Sequence, residues 1–180
     1  MKLFNIIAIT IVSLVSLMLL VALFVDSNFE VTRSVIIYKP TPEVFNYVSH
    51  IRNQDAYSAW AKKDPKSERS YTGSDASVGF VSRWKSTVKD VGQGEQEITK
   101  IIPQKRIEME LRFKKPYEST NYAYMETTAL DEAETKVTWS FSGKMKYPTN
   151  LMLLFMNLEQ TVGKQLNEGL TNLKTILEKR

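Results

Sequence analysis

Residues 150–179, NLMLLFMNLEQTVGKQLNEGLTNLKTILEK, decide the fold of this chain. Apolar side chains recur there at steps of three and four residues, the spacing of one face of an α-helix; they are Leu151, Leu154, Phe155, Leu158, Val162, Leu166, Leu170, Leu173 and Leu177. Polar residues such as Lys164 and Glu168 occupy the other side. The pattern predicts one amphipathic helix of roughly 45 Å, whose apolar face must pack against a large apolar surface.

Alternating apolar and polar residues upstream predict that surface. In residues 106–113, RIEMELRF, apolar and charged side chains fall on opposite faces of an extended strand. Comparable alternation marks six segments in all, at 68–72, 78–88, 94–102, 106–113, 119–130 and 136–145. Short stretches rich in Gly, Pro, Asp or Gln separate them, which favours an antiparallel meander with one dry face and one wet face.

Two shorter kinds of element precede the meander. Residues 29–38, FEVTRSVIIY, are rich in β-branched and aromatic residues and predict a first strand, which the prolines at 40 and 42 end. Residues 42–50 and 51–60 have the spacing of two short helices. The order of elements indicates a single α+β domain of about 150 residues.

The N-terminal segment differs from the rest of the chain. Residues 4–25, FNIIAITIVSLVSLMLLVALFV, contain no charge and would span about 33 Å as a helix, enough to cross a bilayer. We predict a retained transmembrane anchor in residues 1–26 and a water-soluble domain in residues 27–180. The alternatives are a cleaved signal peptide, whose apolar core is typically about 7 to 15 residues, and a buried core helix.

Charges on either side of the predicted anchor indicate its orientation. Lys2 precedes the anchor, whereas Asp26 and Glu30 come before the first following cation, Arg33. Positive charge favours the cytoplasmic side. We therefore expect the soluble domain to be extracytoplasmic.

Composition and charge exclude several classes of function. The chain has 24 Lys and Arg against 20 Asp and Glu, a net charge of +4 that is scattered along the sequence. No Arg-rich stripe is interleaved with aromatics, so we predict no nucleic-acid partner, and adhesion to anionic headgroups is the alternative. The absence of cysteine excludes disulfides, thiolate metal sites and a cysteine nucleophile.

Residues that usually carry catalysis form no recognisable pattern. His50, the only histidine, has no predicted Ser or Asp partner, so neither a triad nor a histidine metal site can be assembled. Two of Glu95, Glu97, Glu108, Glu110 and Glu126 would act as a general acid and base pair only if one carboxyl were buried with a raised pKa. Glu108 and Glu110 fall on the wet face, and we interpret Glu95 and Glu97, whose face the alternation leaves open, as solvated strand surface. Gly92-Gln93-Gly94 is interpreted as a hairpin turn, because no helix follows it. The sequence thus predicts no catalytic residue, cofactor or metal.

Several segments resemble the polyketide cyclase/dehydrase group of the SRPBCC, or START-like, superfamily. They are RSVIIYKPTPEVFNYVSHIRN (33–53), AYSAWAKKDP (56–65), GFVSRW (79–84), GQGEQEITKIIPQKRIEMEL (92–111), KPYESTNYAYM (115–125), TKVTWSFSG (135–143) and LEQTVGKQLNEGLTNLK (158–174). Tyr57 stands where the first Trp of the group's Trp-x-x-Trp-Pro region is common. The resemblance implies a bacterial protein with the helix-grip fold, a curved antiparallel sheet wrapped around a long C-terminal helix. Together with the predicted anchor, it indicates a membrane-anchored member of the group.

The same resemblance implies a cavity between the sheet and the long helix. Aromatic and thioether residues on the predicted inner face are the candidates for its lining, with plain core packing as the alternative; they are Trp60, Trp84, Met109, Phe113, Met125, Trp139, Phe141, Met145, Phe155 and Leu158. We predict a non-enzymatic domain that binds a hydrophobic small molecule or lipid near a membrane. The alternatives are a cyclase or dehydratase acting on a hydrophobic substrate and a protein-interaction module like the chaperone activators of the superfamily.

Overall fold

The computed structural model describes residues 2–179, and its centre is one antiparallel sheet. The seven strands are β1 (Asn28–Ile37), β2 (Glu68–Thr72), β3 (Val81–Lys85), β4 (Gln93–Ile102), β5 (Arg106–Lys115), β6 (Ser119–Ala129) and β7 (Thr135–Lys144). Their order across the sheet is β1-β7-β6-β5-β4-β3-β2. The structure confirms the predicted meander from β2 to β7, and β1 pairs antiparallel with β7 as the edge strand of the sheet.

Five helices accompany the sheet. They are α1 (Lys2–Ala22), α2 (Thr41–Ser49), α3 (Gln54–Tyr57), α4 (Ala59–Lys63) and α5 (Leu158–Glu178), with 3-10 turns at Ile51–Asn53 and Thr149–Leu154. The single short helix predicted over residues 51–60 is wrong, because Ser58 has an extended backbone (ψ 129°) and separates α3 from α4. Together these short helices cover one end of the sheet's inner face.

The C-terminal helix begins later than the apolar spacing predicts. The Asn157 side chain accepts a hydrogen bond from the backbone N–H of Gln160 at 3.0 Å, which makes Asn157 the N-cap of α5. Residues 149–154 form a 3-10 turn instead of the first part of the helix. Leu154 and Phe155 therefore do not continue the buried face, and they are 58% and 86% exposed.

The hydrophobic core lies between α5 and the sheet. Leu166, Leu170, Leu173 and Leu177 of α5 are all at least 99% buried, and the helix packs mainly on β1. The helix approaches the sheet closely at Gly169, where an added Cβ would lie 2.8 Å from Trp139 Cζ3. The apolar face that the leucine spacing predicts is therefore the one that is buried.

The outer face of the sheet carries the charged side chains. Arg112 on β5 donates hydrogen bonds to Glu95, Glu97 and Glu110, each at 2.7 Å. The hydrogen bond from Arg112 holds the pKa of Glu95 below its usual range. These glutamates are ion-paired on the strand surface. The alternation predicted this face for Glu110, whereas for Glu95 and Glu97 it left both faces open.

The N-terminal helix projects from the domain. Every residue of α1 is exposed except Ala22, and α1 is the one helix within residues 2–179 long and apolar enough to cross a membrane, a composition that a signal sequence shares. Asn150 joins its end to the domain: the amide nitrogen Nδ2 donates to the carbonyls of Ala22 (2.7 Å) and Val25 (3.0 Å). Asn150 itself is 1% exposed, so this joint is buried.

Candidate functional site

A cavity of about 280 Å³ lies between the sheet, the short helices α3 and α4, and the first half of α5. The strands contribute alternate residues to its wall, because only one face of each strand points inward. Val162 and Leu166 of α5 close the opposite side. The cavity therefore occupies the place where the sequence predicts one.

Aromatic side chains form one part of the wall. Five of the ten candidate residues line the cavity: Trp60, Trp84, Phe113, Trp139 and Phe141. They contact one another edge to face, with ring centroids 5.6 Å apart for Trp84 and Phe113, 6.4 Å for Phe113 and Phe141, and 6.2 Å for Trp60 and Trp139. All three tryptophans of the chain are in this wall.

The other five candidates do not line the cavity. Met109 and Met125 are buried in the core, where Met125 Sδ accepts a hydrogen bond from the Tyr57 hydroxyl at 3.3 Å. Leu158 packs at the edge of the core, and Met145 is partly buried at the end of β7. Phe155 is exposed, because it precedes α5 instead of lying on the helix face to which the spacing assigned it.

A polar part of the wall was not predicted from the sequence. Gln54 and Asp55 of α3 line the cavity together with Arg69, Ser82 and Gln96 of strands β2 to β4. The strand alternation contains a signal for two of them, since Ser82 has the same parity as Trp84, and Gln96 has the same parity as the buried Ile98. No comparable periodicity identifies the residues of α3, which has only four residues.

The polar and aromatic parts are separated across the sheet. In the strand register, Ser82 pairs with Gln96, and Gln96 pairs with Leu111 of β5. The polar residues therefore occupy the β2 to β4 side, beneath α3. Apart from Trp60 and Trp84, the aromatic residues occupy the β5 to β7 side, near α5. Except for Trp84 on β3, the strand residues that line the cavity are therefore polar on the β2 to β4 side and apolar on the β5 to β7 side.

Hydrogen bonds and an ion pair organise the polar part. Asp55 accepts hydrogen bonds from the Arg69 guanidinium and from the Tyr71 hydroxyl. Burial, together with the hydrogen bond to Asp55, raises the pKa of Tyr71 to about 12, so this phenol is neutral at physiological pH. Gln96 Nε2 donates to Gln54 Oε1 at 3.2 Å. The fixed charges of Asp55 and Arg69 offset each other.

The cavity opens beside α4. It shares Trp60, Asp90 and Val162 with a surface depression that continues over Lys63 and the start of α5. Lys63 and Asp90 form an ion pair at 3.7 Å, and the Asp90 side chain is 73% exposed. Charged, solvated residues thus mark the mouth, whereas the interior is mainly apolar.

Groups typical of metal or triad chemistry are not assembled here. Within residues 2–179, no three His, Cys, Asp or Glu side chains are placed to hold a metal ion. His50 lies outside the cavity lining, and its Nδ1 is 2.7 Å from the carbonyl oxygen of Asn46. What the arrangement can do is enclose an apolar body and hydrogen-bond to one polar end.

A sheet that curves around a long C-terminal helix, with a cavity between the two, defines the helix-grip class of fold. No family model and no curated protein matches this sequence. Solved structures share the fold: Ara h 8.0201 matches with a TM-score of 0.58 at 9% identity, over 85% of this chain and 99% of that chain.

Two further structures extend the comparison. Protein Mll3558 from Rhizobium loti matches with a TM-score of 0.57 at 17% identity, over 82% of this chain and 96% of that chain. DynU16, from the dynemicin biosynthetic locus, matches with a TM-score of 0.54 at 17% identity, over 83% of this chain and 47% of that chain. At these identities the likeness shows the fold alone, an α+β architecture with an antiparallel sheet and a long C-terminal helix.

Proposed function

We propose that this domain binds a hydrophobic small molecule or lipid in the cavity beneath α5 while α1 tethers it to a membrane. The observation that carries the proposal is the cavity of about 280 Å³ whose wall includes all three tryptophans of the chain. Small-molecule sites are typically concave and mostly apolar, with a few polar groups that fix orientation. The aromatic and polar parts of this wall fit that description.

The aromatic part supports an apolar ligand body. Trp84, Phe113 and Phe141 present ring edges and faces to an enclosed space instead of filling it. When an apolar ligand displaces water from a large apolar surface inside a domain, the free energy of the system falls, which favours binding. The fold supports the same interpretation, because its architecture builds a cavity between sheet and helix.

The exposed apolar surfaces support the membrane tether. Besides α1, the turn before α5 exposes Met152 (54%), Leu154 (58%), Phe155 (86%) and Met156 (40%). This turn adjoins the end of α1, because Asn150 bonds the carbonyls of Ala22 and Val25. Contiguous exposed apolar residues mark interaction sites, and here they continue the apolar surface of α1. We propose that the turn rests in the bilayer interface and that the domain is extracytoplasmic.

Tryptophan fluorescence tests the ligand proposal directly. The full chain in lipid nanodiscs is titrated with the neutral probe N-phenyl-1-naphthylamine, and energy transfer from the three cavity tryptophans reports binding. Ala123→Phe fills the cavity and is expected to weaken probe binding at least about ten-fold, as lost apolar burial predicts. Phe155→Ala, outside the cavity, is the control. Wild-type protein that neither binds the probe nor carries an extractable ligand from its membrane contradicts the proposal.

Single cysteines test the membrane proposal, since the natural chain has none. Nitroxide labels are placed at Leu14→Cys in α1, Phe155→Cys in the turn and Tyr122→Cys on the outer face of the sheet. Collision with oxygen and with a water-soluble nickel complex should place the first in hydrocarbon, the second at the interface and the third in water. Labelling of Tyr122→Cys on intact cells by an impermeant maleimide tests the orientation. A label at position 14 in water would refute the tether.

A cyclase or dehydratase reaction is the second candidate, and one observation favours it. Asp55 lies in the cavity wall and accepts hydrogen bonds from Arg69 and from the neutral Tyr71 hydroxyl. Its carboxylate is placed to accept a proton from an enclosed substrate. Turnover of a poly-β-keto thioester analogue by the full chain, abolished in Asp55→Asn, would establish it. Unchanged turnover in that variant would remove Asp55 from the reaction.

A further inference from the structure

We propose that the polar part of the cavity selects a ligand whose polar end is uncharged and carries both a hydrogen-bond donor and an acceptor, as an alcohol or a primary amide does. This inference rests on the proposed function and adds the chemical class of the ligand's head. It is carried by two unpartnered polar groups and by the cancellation of charge around them.

Ser82 and Gln96 supply the unpartnered groups. They pair across β3 and β4, and each residue is only 8% exposed. Among residues 2–179, the Ser82 hydroxyl forms no hydrogen bond, and the Gln96 amide uses only its nitrogen, toward Gln54. Both side chains line the cavity. The Ser82 hydroxyl and the Gln96 amide oxygen are therefore open to a hydrogen bond from a polar ligand atom or water in the cavity.

The hydrogen-bonding capacities of this pair define the head. A serine hydroxyl both donates and accepts, and the free oxygen of the Gln96 amide accepts. A head that only accepts, such as a carboxylate, leaves the Gln96 oxygen facing another acceptor. A head that both donates and accepts satisfies Ser82 and Gln96 together.

Charge in the surrounding wall excludes ionic heads. Arg69 is paired with Asp55, and Asp90 at the mouth is paired with Lys63 and mostly exposed to water. A charged head would lose its hydration on entering the cavity, and none of these pairs leaves an unmatched charge to replace it. An uncharged head loses less and regains hydrogen bonds.

The positions of the polar and aromatic parts of the wall predict the orientation of the ligand in the cavity. The head would contact Ser82 and Gln96 beneath α3, and the apolar body would extend toward Phe113, Phe141 and Val162. That geometry predicts the same tail contacts for any head. Ligands that differ only in the head group therefore isolate the proposed selectivity.

A matched series of octyl compounds provides the test. The full chain in nanodiscs is titrated with 1-octanol, octanamide, octanoate and octylammonium at neutral pH, with tryptophan fluorescence as the signal and partition into protein-free nanodiscs subtracted. Octanol and octanamide are expected to bind at least about ten-fold more tightly than the two ions, because only the ions lose hydration without compensation.

Three variants sharpen the test. Gln96→Leu and Ser82→Ala should each weaken octanamide by about three- to ten-fold without weakening 1-chlorooctane, which has no donor. Asp55→Asn leaves Arg69 without its carboxylate partner and should strengthen octanoate by about ten-fold. Glu68→Gln, which removes an exposed ion pair with Lys85 away from the cavity, is the control and should change neither.

Each result has a defined meaning. Equal affinity of the wild-type protein for octanoate and octanol overturns the head-group proposal and leaves cavity binding standing. Absence of a fluorescence response to all four compounds overturns cavity binding, and this inference with it. Circular dichroism checks the fold of each variant, and Ser82→Ala, the smaller change, carries the test where Gln96→Leu does not fold.

Discussion

The two long helices of this molecule have the same length and opposite surroundings. Both α1 and α5 have 21 residues, and both are rich in leucine. Helix α1 exposes every residue except Ala22, whereas α5 buries Gly163, Leu166, Gly169, Leu170, Leu173 and Leu177. The difference is one of arrangement: apolar residues around the whole circumference suit a lipid environment, and apolar residues on one stripe suit a sheet.

The two helices are also held in different ways. Helix α5 packs mainly on β1, with Gly169 against Trp139 of β7 and an ion pair from Arg33 to Glu159 near its start. The structure shows α1 in contact with the domain only near its C-terminal end, through the turn that contains Asn150. Stability of the domain should therefore depend on α5 and be insensitive to α1.

The largest expected effect comes from truncating a buried leucine of α5. Leu173→Ala should lower the free energy of unfolding by about 2–5 kcal/mol, because it leaves a cavity in the core. Leu14→Ala in α1 is the matched control and should change it by less than about 0.5 kcal/mol. Urea unfolding of the full chain in nanodiscs measures both. Equal losses in the two variants would break the comparison.

A charge placed in each helix tests the membrane side of the comparison. Leu14→Arg should cost about 2.5–3.5 kcal/mol of membrane insertion and shift the chain to the carbonate-extractable fraction. Asn167→Arg on the exposed side of α5 should leave the chain in the membrane pellet, since this position faces water. Retention of Leu14→Arg in the pellet would show that α1 does not hold the chain there.

Two glycines of α5 sharpen what close packing contributes. Gly169→Ala brings its Cβ to 2.8 Å from the Trp139 ring and should destabilise the domain by about 1–3 kcal/mol. At Gly163 the three atoms nearest to an added Cβ all belong to the guanidinium of Arg33, the end of a flexible side chain that can shift. Gly163→Ala should therefore gain up to about 1 kcal/mol of helix propensity. Thermal unfolding compares the two, and the opposite order would contradict this account of the helix–sheet contact.

The smallest expected effect concerns the ion pair at the start of α5. Glu159→Gln removes the partner of Arg33, but Glu159 is 64% exposed, so the loss should stay below about 1 kcal/mol and diminish with added salt. Glu168→Gln, an exposed position on the same helix, is the control. A loss several times larger would show that the ion pair, and not the leucine face, positions the helix.

Much of the fold could be predicted because strands and helices have distinct periods. The alternation in β5 assigned Ile107 and Met109 inward correctly, and the leucine spacing identified the buried face of α5. The start of α5 was missed because apolar spacing continues through Leu154 and Phe155, although Asn157 carried the capping signal. The spacing of apolar residues identifies the buried face of a helix, whereas the capping residue identifies where the helix begins.

The candidate site could be predicted only in its aromatic part. Trp84 and Trp139 share strand parity with buried neighbours, and the family resemblance implied a cavity beside them. The polar part was missed because glutamine and serine on a strand are usually surface residues. The pairing of Asp55 with Arg69 depends on where α3 lies over β2, which no local pattern specifies.

The buried joint at Asn150 has a consequence for how the domain would be carried on a membrane. A free linker would let the domain rotate, whereas the two hydrogen bonds from Asn150 to the carbonyls of Ala22 and Val25 restrict rotation of the domain relative to α1. On a bilayer, the tilt of α1 would then set the distance of the cavity mouth beside Trp60 from the membrane surface and the direction in which the mouth opens. The cavity mouth would then keep one orientation relative to the bilayer, so a molecule leaving the lipid could enter it without a prior rotation of the domain.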